Sequence, residues 1–141
     1  MADDYPFLDG SSDEEENSDL PLFCEYAWNF NDDCFIYDGD GNHILLTGND
    51  ALKIWIYKAL KTERYMWLAY SWRFGIELYT FMAKNMGVKE RQSEFKRMIT
   101  ECLMVNPYIK SIDSINLIRN NRGEQVNVEI TLTTIYGTMT L

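Results

Sequence analysis

GNDALKIWIYKALKTERYMWLAYSWRFG, residues 48–75, joins a helix, a charged pair and a cluster of rings in one run. Ala51, Leu52, Trp55, Ile56, Ala59 and Leu60 recur at steps of three and four, laying an apolar stripe along a helix with Lys53 and Lys61 off it. Asn49 or Asp50 is placed to cap that helix, because a short polar side chain there accepts from the orphan amides of the first turn. The helix ends near Thr62. Glu63 and Arg64 follow, then a stretch from Tyr65 to Trp72 so rich in aromatics that propensity does not decide its conformation, and Gly75 breaks the chain.

Upstream, residues 1–20 hold eight acids with Ser, Gly and Pro and too few apolar groups to offset the entropy of ordering. They read as an acidic tail, disordered or ordered by a partner, with one apolar island at Tyr5-Pro6-Phe7-Leu8. Residues 21–141 read as a single globular domain. Tyr26, Trp28 and Phe30 alternate in EYAWNF, the period of a strand, and Cys34–Tyr37 and His43–Thr47 flank Asp38-Gly39-Asp40-Gly41-Asn42. That separator has the alternating acids of a calcium loop. It places His43 at the sixth position and Asn49 at the twelfth, where such a loop needs Gly and a bidentate Glu, so a β-hairpin turn is the better reading.

Downstream, a short helix is expected over Ile76–Asn85 and the longest one over Lys89–Val105. In the latter Phe95, Met98, Ile99, Cys102 and Leu103 share a face, and Asn106-Pro107 stops it, with Asn in a left-handed cap. Strands follow at Ile109–Arg119 and Glu124–Ile135, joined by Asn120-Asn121-Arg122-Gly123. Val126, Val128, Ile130 and Leu132 lie on one side of the second strand, opposite Asn127, Glu129, Thr131 and Thr133. After Tyr136-Gly137 the run 138–141 is β-prone. The fold class is therefore α+β: an N-terminal β-hairpin, about three helices and a C-terminal antiparallel β-hairpin or sheet.

Composition narrows the function. Of 22 acids fourteen lie in residues 1–50, which carry no Lys or Arg, while all 13 bases lie in 51–141. An acidic end without a basic stripe argues against nucleic-acid binding. Three cysteines at irregular spacing and one His form neither a zinc pattern nor a disulfide framework, so no metal or cofactor is expected and the thiols read as reduced in a cytosolic protein. No stretch has the apolar length of a membrane span or the pattern of a signal peptide.

ALKIWIYKALKTERY, SWRFGIEL, VNPYI and TIYG, in that order, resemble the XkdS-like proteins of contractile phage tails and tail-like particles, relatives of the T4-type baseplate wedge and sheath-initiator family, part of which carries a "lysozyme-like" label. The resemblance spans about residues 22–141 and leaves the tail aside. It implies a structural, non-enzymatic role at the baseplate of a virion or of a tail-like particle such as a bacteriocin, assembled in the host cytoplasm. It also implies six copies around the tail axis bound to wedge proteins, and to tube or hub proteins where these lie alongside, with a small sheet like the strand-exchange domain of the sheath subunit on which the first sheath ring grows.

The resemblance assigns wedge docking to Glu63, Arg64, Trp72, Phe74 and Gly75. Many relatives have a Pro between the Glu and the Arg, and this chain lacks it. Sheath strand addition falls to Val126, Val128, Ile130, Leu132, Ile135, Tyr136, Met139 and Leu141.

Three alternatives stand beside this reading. The hairpin 109–135 can simply close its own core, and Glu63–Arg64 can be a local ion pair at a helix end, worth under about 1 kcal/mol if exposed. A glycosidase needs two carboxylates, for which Glu63 and Glu77 are the available pair, but a neighbouring guanidinium lowers a carboxylate pKa where a general acid needs it raised. An acidic DNA mimic in residues 1–19 lacks an ordered scaffold. On the docking reading, Arg64→Ala leaves the isolated domain folded and abolishes sheathed particles; unfolding of the purified variant would make the residue structural.

Overall fold

A computed structural model describes residues 20–119 and 126–141; the acidic tail up to Asp19 and the expected turn at 120–123 lie outside the described residues. The N-terminal part is built from β1 (Cys24–Tyr26), β2 (Trp28–Asn29), β3 (Cys34–Phe35) and β4 (Leu45–Thr47), with β1 antiparallel to β4 and β2 to β3. EYAWNF is not one strand. It breaks at buried Ala27, whose N–H donates to Ile44 O at 2.7 Å while its carbonyl accepts from Ile36 N at 3.0 Å, so the chain changes partner there. The 38–42 turn closes under a Tyr37–His43 bridge. Asp38 Oδ1 accepts from the backbone of Asn42 (2.8 Å) and of Asp40 (3.0 Å), and these bonds, that from Asn42 above all, hold its carboxyl below the usual range.

Helix α1 (Gly48–Lys61) follows the expected stripe and adds Ile54, because the helix packs against both the N-terminal strands and the main core. The expected cap is absent. Thr47 occupies the N-cap without a side-chain bond, and Asn49 instead accepts from the Thr134 hydroxyl at 2.6 Å, tying the start of α1 to the far end of the chain. Helix α2 (Leu78–Ala83) is shorter than Ile76–Asn85, since Ile76 is held extended by backbone bonds to Thr62 and Arg64. Helix α3 (Val88–Leu103) stops before Val105. Asn106 is not left-handed; its side chain accepts from Tyr108 N at 3.0 Å and turns the chain into the sheet.

The sheet comprises β5 (Ile109–Arg119), β6 (Val126–Thr134) and β7 (Gly137–Thr140), antiparallel in the order β5-β6-β7. Ile109, Ile112 and Ile115 are three apart, a spacing that alternation would split between the two faces. Register shifts between Ile109 and Ser111 and between Ile112 and Ser114 turn all three toward the core. The run 138–141 is not free: it is edge strand β7, with Leu141 exchanging backbone bonds with Ile130 at 2.9 and 3.1 Å. Helices α1 and α3 cover one face, burying Ile56, Ile99, Leu103 and Leu132. The other face carries Thr131 and Thr133, whose hydroxyls meet Thr140 and Thr138.

Cys102 is 1% exposed and its thiol points at Ala59 O, 3.8 Å away; burial pushes its pKa up to about 11. Cys24 and Cys34 are exposed. A thiol reagent at neutral pH should therefore titrate two cysteines in the folded chain and the third only on unfolding. Three fast thiols would contradict this packing.

Candidate partner-binding site

The end of α1 is stapled to the start of α2. Ile76 N donates to Thr62 O (2.9 Å) and Arg64 N to Ile76 O (3.0 Å), forming a two-strand parallel bridge. Gly75 makes this approach possible: its φ is +101°, and a Cβ there would stand 2.6 Å from Thr62 O and 3.1 Å from Arg64 N. Glu63 and Arg64 then act separately. The Glu63 carboxylate accepts from Leu78 N and Tyr79 N, both at 3.1 Å, and so caps α2. Arg64 donates through Nε to Gly75 O (3.2 Å) and through Nη1 to Glu77 and Glu101, each at 3.4 Å, with its side chain only 8% exposed. The carboxylates beside it belong to a chain of alternating charge that continues from Glu101 through Arg97 and Glu94 to Lys84. The Arg97 guanidinium holds the Glu94 carboxyl below its usual range.

Sequence reasoning placed Glu63 and Arg64 on a surface or in a mutual pair, and the structure places them in the joint. Their partners, Gly75 O, the α2 amides and Glu101, are distant in sequence, so no local signal names them. The geometry also gives no opening for Glu63 and Glu77 as a hydrolytic pair, because Glu63 is engaged at both oxygens and Glu77 faces Arg64.

Between the stapled ends, residues 65–74 form an irregular loop of the Ω kind. Tyr65 takes a positive φ of 67°, and its ring lies 5.8 Å from Trp72. Trp72 is 77% exposed, and Trp67, Tyr70, Met66 and Leu68 are exposed beside it. Phe74 turns the other way, packing on the core with its ring edge against Trp55 at 5.7 Å. Of the residues assigned to wedge docking, Trp72 alone is fully presented to solvent; Glu63, Arg64, Phe74 and Gly75 build its platform. Met66 and Leu68, the most exposed residue of the loop, were not singled out by the sequence.

The sheet-side residues divide similarly. Ile130 and Leu132 are core, Met139 and Leu141 are half-buried against it, and Val126 is exposed. Ile135 donates its N–H to Tyr108 O at 3.0 Å, while the Tyr136 hydroxyl accepts from Phe23 N at 2.9 Å. Strand β6 is interior along residues 130–134, but β7 stops short of it. Among the described residues nothing pairs with the β7-side edge of Val126–Glu129. That open edge borders an apolar groove of about 240 Å³ between α1 and β6, lined by Phe30, Ile56, Leu60 and Val128.

A presented aromatic loop and an open sheet edge are features of proteins that assemble with other proteins. The family of contractile injection system sheath initiators matches residues 24–137. A similar chain is the phage-like element PBSX protein XkdS of Bacillus subtilis (strain 168), 28% identical over 96 residues, 67% of each chain. The chain belongs to the sheath initiator family, and with it to the structural components of contractile tails.

Arg64→Ala should lower stability by about 1.5–3 kcal/mol, because its charged hydrogen bonds to Gly75 O, Glu77 and Glu101 are lost and Glu77 is left without its cation. Gly75→Ala adds backbone strain of roughly 1–3 kcal/mol before any steric overlap with Thr62 is counted. Urea midpoints check both; an unchanged midpoint for Arg64→Ala would return that residue to a purely surface role.

Proposed function

We propose that this chain seats on baseplate wedge proteins around the tail tube and templates the first sheath ring by β-strand addition, without enzymatic activity. Six copies surround the axis, in a phage tail or a tail-like bacteriocin assembled in the host cytoplasm. The observation that carries the reading is the length mismatch between β6 and β7. Residues two apart on a strand turn their backbone groups to the same side, so the Val128 N–H and C=O face the same edge as those of Ile130, which Leu141 already occupies. An incoming strand continuing the line of β7 gains those main-chain bonds, and its inward side chains enter the groove beside Val128 and Leu60. The expected addition surface is thus narrowed: Ile130 and Leu132 support it from the core, and Val126 and Val128 meet the guest.

The wedge-facing surface on this reading is the loop carrying Trp67, Leu68 and Trp72. Large rings exposed on a stapled loop bury much area with little entropy to lose, which suits an interface anchor. Particles lacking this protein should appear by electron microscopy as naked tubes on baseplates. Complementation with Val128→Pro, which removes the N–H from the open edge, should leave tubes unsheathed while the protein still joins baseplates. Trp72→Ala should reduce its recovery with baseplates. Normal sheathed tails from a Val128→Pro chain would refute addition at this edge.

A further inference from the structure

We propose that the chain's own N-terminal segment, Tyr5-Pro6-Phe7-Leu8, covers the β6 edge and the adjoining groove in the free subunit and is displaced when sheath arrives. This rests on the strand-addition reading and adds its regulation. An open strand edge beside an apolar groove is a template for unwanted pairing, and folded proteins usually cover or charge such edges. Here Val126 and Val128 flank the open stretch, and Phe30, Ile56 and Leu60 line the groove. Residues 1–19 hold one apolar island among eight acids.

Reach, charge and chemistry agree on that occupant. Pro21 is pinned by the Tyr108 hydroxyl (2.7 Å) and Phe23 by Tyr136, at the start of β7. From there to Leu141 on the groove is one short strand, about 14 Å at 3.4 Å per residue. The twelve-residue interval from Leu8 to Leu20 extends to roughly 40 Å, so the island reaches the groove with slack. Lys53 stands on the groove wall with its ammonium 5.9 Å from the centre of the Phe30 ring. Among the described residues it has no carboxylate within ion-pairing distance. Asp3, Asp4 and Asp9 flank the island and supply that charge. Pro6 also suits the position: it lacks an N–H, so with its nitrogen turned outward a segment laid on the edge offers one donor fewer to a further strand.

The test is residue-resolved amide exchange on the full chain, free of sheath. The triple variant Tyr5→Ser, Phe7→Ser, Leu8→Ser should exchange at Val128 at least tenfold faster than the wild type, with β5–β6 amides unchanged. Lys53→Glu, or raised salt on the unaltered chain, should accelerate the same amide. Equal exchange in the wild type and the triple variant overturns the proposal. So does a protection change confined to a second apolar groove, of about 370 Å³, which Met82, Phe95 and Leu117 line. The two readings separate in assembly. Equal exchange with normal sheathing removes only the tail contact, whereas faster exchange in a chain whose tail-intact form never recruits sheath removes only sheath initiation.

Discussion

The close passage of Gly75 against Thr62 and Arg64 is the constraint on which the rest depends. Two backbones meet there without a side chain between them, and the residues on either side inherit their tasks from that contact. Ile76 is drawn into an extended bridge, so α2 begins two residues later, where Glu63 waits to accept its first amides. Arg64 is left beneath the joint, shielded and bonded to Gly75 O, Glu77 and Glu101, which links α1, α2 and α3 through one guanidinium. The loop that departs from and returns to this point is fixed at both ends, with Phe74 packed on the core and Trp67, Tyr70 and Trp72 presented to solvent.

A second joint lies at the opposite end of α1. Thr134 donates to Asn49, Tyr136 accepts from Phe23, and Tyr108 donates to Pro21 O, with the Tyr108 ring edge-on to Phe23 at 4.8 Å. The four sequence segments that resemble the family sort onto these two joints. TERY and SWRFGIEL meet at the Gly75 crossing; VNPYI and TIYG meet around Tyr108 and Thr134. What the family pattern marks most clearly in this chain is how the elements are fastened together, and the exposed surfaces are carried by those fastenings.

That division explains what was legible in the sequence. Periodicity in α1, α3 and β6 reported burial directly, because Leu52, Ile99 and Ile130 recur at the spacing of their element and each lies in the core. The α+β architecture followed. Contacts distant in sequence left no such trace. Asn49 has the composition of a cap but bonds to a threonine 85 positions away, and Glu63 and Arg64 are adjacent yet serve different partners. Ile109, Ile112 and Ile115 fit no strand period until two bulges are allowed, and a bulge has no compositional signal here. The aromatic run from Tyr65 to Trp72 was undecided because it is neither helix nor strand; only the exposure of Trp67, Leu68 and Trp72 distinguishes it from core.

The two faces of β6 differ sharply in chemistry, apolar at Val128, Ile130 and Leu132 and polar at Asn127, Glu129, Thr131 and Thr133. If a guest strand adds at this edge, as proposed, that difference makes β6 a proofreader. A guest laid beside it one residue out of step turns its greasy side chains toward Glu129 and water, and its polar ones toward the groove. Each apolar side chain so misplaced forfeits about 1.5–3 kcal/mol. Two of them make the mistaken alignment at least ~100-fold rarer than the correct one. On the strand-addition proposal, fidelity at the first layer would then come from the alternation of side chains along one short strand, with no separate checking step.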